Sequence, residues 1–408
     1  MHHRPPSQRG MRLLIALCVA LPGCGEAWRN PRNAADLNAN LGYMAERRDM
    51  PAEPDTTGDV DAIRWNERRC ALPAPTAAAF PPVVSDRAMP LAPGDLLRLS
   101  LPGNEAPSGN FKVNSDGVVS FDQLGDLPVR GRTVAQAEQA LRDRVEQSGY
   151  YRVGHAHLSL KLLDRGPIRV RVSGAVFQPG QVLLNAKSAT DRDVTHDTAP
   201  GDHALGRALS NALSSAGGVR PDADITRIAV LRDGRRQEFD LTGLMFGGEA
   251  ADVLLTEADQ VEVASRGCFQ IGLARPSPIT MPGVRTFISN LTVPAASNAS
   301  SAIGGHEATN FPYGIRFLQA LVSGNCVGGT QSTNASRFGV LISSNPITGQ
   351  TEVIERRVED LVRRADREGY NPVILPNDAI ACYDSPVTNL RDIANLFTAG
   401  LLGGAIKP

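Results

Sequence analysis

The chain has 408 residues, 42% of them hydrophobic and 21% charged, with a formal net charge of −1. Such a length admits about two to four domains, the composition supports packed cores, and the near-neutral charge excludes a polybasic binder of nucleic acid or membrane surfaces. The 39 glycines and 29 prolines call for many turns and short strands, and the 5% aromatic content argues against a cleft built from flat rings.

Arg9 and Arg12 precede an apolar run at residues 13–21 that ends in Leu21-Pro22-Gly23-Cys24. A basic start and a short apolar core form a secretory leader, too short to span a bilayer permanently. Translation can begin at Met1 or at Met11. The end of the run resembles a bacterial lipobox, with Pro22 departing from the usual small or β-branched residue. Cys24 is therefore the expected lipidation site and 1–23 the expected leader; an ordinary leader with an incidental cysteine is the alternative. Gly25 follows the cysteine, so no aspartate is present to suggest retention at the inner membrane. Export brings the remaining cysteines, Cys70, Cys268, Cys326 and Cys382, into an oxidising compartment. Four cysteines allow three pairings, and the sequence does not choose. The grouping of Cys268, Cys326 and Cys382 in the last third favours one disulfide among them.

Residues 24–86 are rich in Pro, Ala, Asn and charge and read as an extended arm. Ala92-Pro93-Gly94-Asp95 then gives a type II turn and 96–101 a strand. Strands at 111–113 and 118–121 flank Ser115-Asp116-Gly117 as a hairpin. Thr133 and Gln136 form a capping box, with Val134, Ala137, Leu141 and Val145 on one helix face. Leu158, Leu160 and Leu162 alternate inward along a strand.

A second unit opens with the alternating Ile168-Arg169-Val170-Arg171-Val172, followed by a second type II turn at Gln178-Pro179-Gly180-Gln181. A polar loop spans 185–202. Leu205, Leu209, Ala212 and Leu213 predict a helix stopped by Gly217-Gly218, and strands follow at 227–231 and 259–263. A third unit echoes the second at an offset of about 110 residues. Pro282-Gly283 repeats Pro179-Gly180, 338–342 repeats 228–232, and Leu375-Pro376-Asn377-Asp378 repeats Thr256-Glu257-Ala258-Asp259. The Pro-Gly pairs are read as hairpin corners that mark the fold. Past Pro386, the residues Val387, Leu390, Ile393, Ala394, Phe397 and Leu401 make an apolar stripe at helical spacing, opposite Thr388, Asp392 and Asn395. Twenty residues would reach about 30 Å, the thickness of a hydrocarbon core.

Leu91-Ala92-Pro93-Gly94-Asp95, Val113 with Gly117, Gly131-Arg132-Thr133 and Val172-Ser173-Gly174-Ala175-Val176 with Pro179-Gly180 resemble, in this order and spacing, a polysaccharide export domain running into a β-grasp ligand-binding domain. The pair is similar to that of the Wza-like outer-membrane polysaccharide export lipoproteins. The resemblance covers 90–265 well and 268–385 more loosely. It implies an α+β chain with an export domain at 87–164, tandem SLBB-type β-grasp domains at 166–266 and 267–385, and a C-terminal amphipathic helix at 386–408. It also implies a non-enzymatic homo-oligomeric ring lipid-anchored at the outer membrane, most of it in the periplasm. Its partners would be an inner-membrane copolymerase and the exported capsular or extracellular polysaccharide. No cofactor and no nucleic acid are expected. A monomeric periplasmic polysaccharide-binding module and a polysaccharide-modifying enzyme are the other two classes.

Catalytic motifs give no support to the enzyme class. Neither a Gly-x-Ser-x-Gly elbow nor a His-Glu-x-x-His helix occurs, and Ser214 and Ser215 sit beside glycines that a helix stop explains. The carboxylate pairs Glu257/Asp259 and Glu359/Asp360 show no cleft by spacing alone. His196-Asp197 and Asp202-His203 lie in the polar loop and read as a solvated insertion, not a metal site. His155 and His157 read as an exposed strand face.

Overall fold

The computed structural model describes residues 70, 89–101, 108–121, 124–149, 158–187, 204–290, 309–327, 337–363 and 370–384. The expected leader, Cys24, most of the arm, His155, His157, His196, His203 and the stripe from Val387 through Leu390, Ile393 and Phe397 to Leu401 lie outside the described residues. The architecture is α+β: among the described residues, two five-stranded sheets, a three-stranded sheet and a two-stranded one carry a few mostly short helices. No helix among the described residues is long and apolar enough to cross a membrane.

In the first unit β1 (Leu96–Ser100) lies between β2 (Gly109–Lys112) and β5 (Ser159–Asp164), antiparallel to both. The hairpin expected between 111–113 and 118–121 is replaced. β3 (Val118–Phe121) pairs with β4 (Gly125–Pro128) in a sheet of its own. The cause is local. Asn114 Oδ1 accepts the N–H groups of Asp116 and Val118 at 3.0 and 2.9 Å, which satisfies donors that a ladder would need and turns the chain away from β2. Helix α1 (Val134–Gln147) closes this core with Ala137, Leu141 and Val145. Thr133 Oγ1 accepts the Gln136 N–H, and Gln136 Oε1 accepts the Thr133 N–H, so the capping box fixes where the helix begins.

The second unit is a mixed sheet in the order β7-β6-β10-β8-β9. Its strands are β6 (Ile168–Gly174), β7 (Gly180–Leu184), β8 (Ile228–Arg232), β9 (Arg235–Phe239) and β10 (Gln260–Val263). Ile168, Val170 and Val172 are buried while Arg169 and Arg171 are exposed, the period-2 signature of a half-buried strand. β6 and β10 run parallel and the other neighbours antiparallel. Helix α2 (Leu209–Ser215) covers the apolar face with Leu209, Ala212 and Leu213, and the short α3 (Thr242–Phe246) adds Met245. Leu205 belongs to a separate 3-10 turn, Ala204–Arg207, not to α2. The break arises because Ala208 is extended and bridges Leu254.

The third unit repeats this topology as β12-β11-β15-β13-β14. It comprises β11 (Gly283–Asn290), β12 (Thr309–Pro312), α4 (Phe317–Ser323), β13 (Arg337–Ser344), β14 (Thr351–Arg357), α5 (Val358–Arg363) and β15 (Ala379–Asp384). The β11–β15 pair is parallel, as β6–β10 is. Two of the three Pro-Gly pairs are not turns. Gly180 (φ 158°) opens β7, the second strand of its unit, and Gly283 opens β11, the first strand of the next. The pairs Pro179-Gly180 and Pro282-Gly283 are therefore not equivalent. The reversal after β6 falls instead at Gly174, whose φ of 89° is open to glycine.

The units are coupled. Leu273 and Ile279 belong to the second core, and Phe269 and Ala274 to the third, so the connecting segment serves both. Gly218 is one point of close approach: a Cβ there would lie 2.6 Å from the Met281 nitrogen. Two disulfides fasten the assembly. Cys326, just past α4, is bonded to Cys382 on β15, and Cys268 is bonded to Cys70 of the arm, 198 residues away.

Candidate functional site: a buried ionic junction

Each unit contains the same tight turn. In Ala92-Pro93-Gly94-Asp95, Thr256-Glu257-Ala258-Asp259 and Leu375-Pro376-Asn377-Asp378, the aspartate N–H donates to the carbonyl of the first residue at 3.2 Å. The aspartate Oδ2 accepts that first residue's N–H, at 3.0, 2.7 and 2.8 Å in turn. The third position is left-handed in every case: Gly94 φ 90°, Ala258 φ 70°, Asn377 φ 66°. All three aspartates are buried, and each leads directly into a strand, β1, β10 or β15. A short carboxylate that satisfies the turn internally explains why aspartate recurs there.

Asp95 does more than close its own turn. Its Oδ2 accepts Arg165 Nη1 at 2.9 Å, and its Oδ1 accepts the Gly166 N–H and Arg207 Nη2, both at 2.8 Å. Asp95 lies in the first unit, Arg165-Gly166 is the linker, and Arg207 precedes α2 of the second. One carboxylate thus holds three segments separated by 70 and 112 residues. All three side chains are sealed from solvent. The second guanidinium is balanced by carbonyls. Arg207 donates to Gly166 O at 3.2 Å through Nε and 2.6 Å through Nη2, and Arg165 donates to Pro90 O at 3.1 Å. Asn185 Nδ2 donates to Arg165 O at 2.8 Å, tying the end of β7 to the same linker. Gly166 is required by space: a Cβ there would meet Gly94 Cα at 2.7 Å. Lys187 pairs with Asp164 at the rim.

Such an arrangement has no substrate-facing nucleophile or acid. Chemically it is a rigid joint, because these charge-assisted contacts fix one geometry and moving any segment would strand a buried charge. Arg232 holds Asp259 in the same manner within the second unit, at 2.7–3.2 Å. Glu257 donates no chemistry there; its Oε2 accepts the Arg169 N–H at 2.9 Å. Among the described residues no cluster of His, Cys, Asp or Glu could hold a metal ion. Asp95 was legible in the sequence as a turn residue. Arg165 and Arg207 were not, since long cations are ordinarily exposed and nothing local marks them as buried.

Residues 84–163 match the family model described as polysaccharide biosynthesis/export protein. The match takes in the Asp95 turn, β1 to β4, α1 and nearly all of β5, and it stops two residues before Arg165.

Proposed function

We propose, from the premise that this chain carries a polysaccharide export domain at residues 84–163, that it is the outer-membrane subunit of a conduit passing capsular or extracellular polysaccharide from periplasm to cell surface. The matched domain supports a role in polysaccharide export or biosynthesis in general. In this reading the two five-stranded units are tandem β-grasp domains of the SLBB type, and Cys24 carries the lipid that holds the chain at the membrane. Several acyl chains on one cysteine would anchor stably, each buried CH₂ contributing about 0.8 kcal/mol. The helix from 387 to about 406 would be one stave of an oligomeric barrel. Turning Asp392 and Asn395 to a shared lumen is the arrangement that lets such a helix cross lipid cheaply. An inner-membrane copolymerase would deliver the polymer.

The observation that carries the reading is the matched domain clamped to its neighbour through Asp95. A closed ring needs a constant rotation from one copy to the next. A chain of several units meets that condition only if its units do not swing about their linkers.

Protein extracted from membranes in detergent should run at a large multiple of the 43.4 kDa chain, and the Cys24→Ala variant should stay unprocessed or appear in the periplasmic fluid. A single copy would favour the binding module, and cleavage of the polymer by pure protein would establish an enzyme.

A further inference from the structure

The two five-stranded units share a topology but not a surface. The repeated aspartate turns align them, since Gln260 follows Asp259 and Ala379 follows Asp378. Across the outer face of the second sheet the pairing Arg171–Gln260–Leu231–Arg236 forms one row. The corresponding row of the third sheet is Phe287–Ala379–Ile342–Val353. A charged row has become an apolar one. Phe287 is 57% exposed and Ile342 38%, and two rows further along the same face Phe338 and Tyr383 stack with ring centroids 5.5 Å apart.

The opposite side of the third unit also carries exposed apolar residues. Helices α4 and α5 cover the inner face of the sheet through Phe317, Leu321, Val358 and Leu361. Val322 and Val362 stand outward from them, 57% and 45% exposed. In the second unit the residue that follows the buried Leu213, as Val322 follows Leu321, is the exposed Ser214. Phe246 follows the buried Met245 as Val362 follows Leu361, and it has the Arg275 guanidinium 4.9 Å over its ring. Of the eight large hydrophobic residues exposed among the described residues, five lie in the third unit: Phe287, Val322, Ile342, Ile347 and Val362.

We infer that the third unit is the place where copies of this chain meet, the bare sheet face of one copy packing on the helix face of the next. The inference rests on the oligomeric reading above and deepens it by assigning the contact. Two apolar patches on opposite sides of one domain are what a head-to-tail interface requires, whereas a two-fold dimer uses one self-complementary patch. A lipid surface could cover one of the two sides but not both at once. The contrast with the sister unit removes the fold as an explanation, because the same sheet is built there with Arg171 and Arg236 outside. Clustered exposed apolar residues of this kind mark interaction surfaces.

The test uses the full-length chain in detergent and two double variants. Phe287→Glu with Ile342→Glu disables the sheet face, and Val322→Glu with Val362→Glu disables the helix face. All four positions are exposed, so both variants should keep the thermal unfolding midpoint of the wild type. Each variant alone should run as a single copy. Mixed in equal amounts they should form a pair of about twice the 43.4 kDa chain mass and nothing larger, because one intact sheet face meets one intact helix face. Arg171→Glu, on the matching row of the second unit, should leave the wild-type mass unchanged. Retention of the wild-type mass by either double variant would overturn the assignment and leave the oligomeric reading standing. Two single-copy variants that fail to pair would overturn the head-to-tail arrangement. A wild type that is itself a single copy would remove the oligomeric reading and this inference with it.

Discussion

Asp95→Ala should destabilise the first two units by about 3–5 kcal/mol, the usual cost of removing one partner from a buried ionic group. The loss is large because the substitution leaves the Arg165 and Arg207 guanidiniums in a solvent-free site with no carboxylate. It also removes the acceptor for the Ala92 and Gly166 N–H groups. Asp95→Asn is the informative companion. It keeps the shape, but it loses the charge and turns an NH₂ group toward donors, so it should be nearly as damaging as alanine. Urea titration followed by a probe in each unit would measure both. An effect under about 1 kcal/mol for either variant would mean that the junction is solvated and does not lock the units.

Loss of the disulfide between Cys326 and Cys382 should act on the third unit to a similar degree. The bond closes a loop of 56 residues, which the chain-entropy model values at about 4 kcal/mol. Both cysteines are buried, Cys382 on the central strand β15 and Cys326 at the end of α4, so the bond ties the helix layer to the sheet. Cys326→Ala with Cys382→Ala avoids placing new hydroxyls in the core. The double variant should melt earlier in the third unit, and reductant should lower the wild type toward it. A wild type whose third unit is indifferent to reductant, with both thiols then titrating as free, would contradict this expectation.

What the sequence disclosed follows from the range of the forces involved. The capping box at Thr133 and Gln136 and the alternation of Ile168, Val170 and Val172 are decided within a few residues, and the structure has both. The Ala92–Asp95 turn is equally local, with Gly94 at φ 90°. The pairing of β3 with β4 was hidden, because the Asn114 side chain competes with the ladder and a turn motif alone does not say which strands share a sheet. β9 was invisible to periodicity. Arg235-Arg236-Gln237-Glu238-Phe239 is an edge strand whose first four residues are exposed, so no apolar alternation betrays it. The Pro-Gly pairs misled for a related reason: proline and glycine favour turns, but the start of a strand tolerates them equally well.

The junction was half legible. Asp95 announces its turn, but its partners lie 70 and 112 residues away, and contacts at that separation leave no local pattern. The disulfide pairing is of the same kind. Three pairings satisfied the sequence, and only the folded positions bring Cys326 to Cys382 and Cys268 to Cys70, each at a Cα separation of 5.9 Å. The echo between the second and third units was readable in Asp259 and Asp378. The exchange of Arg171 for Phe287 on equivalent rows was not readable without the strand registers.

The most direct test of a role as an export conduit is made in cells lacking the gene, by measuring polymer on the cell surface alongside synthesis of its repeat unit inside. Surface polymer should disappear while repeat-unit synthesis continues, and the wild-type chain should restore it. Undiminished surface polymer in the deletion strain, with no second copy of the gene, would contradict it.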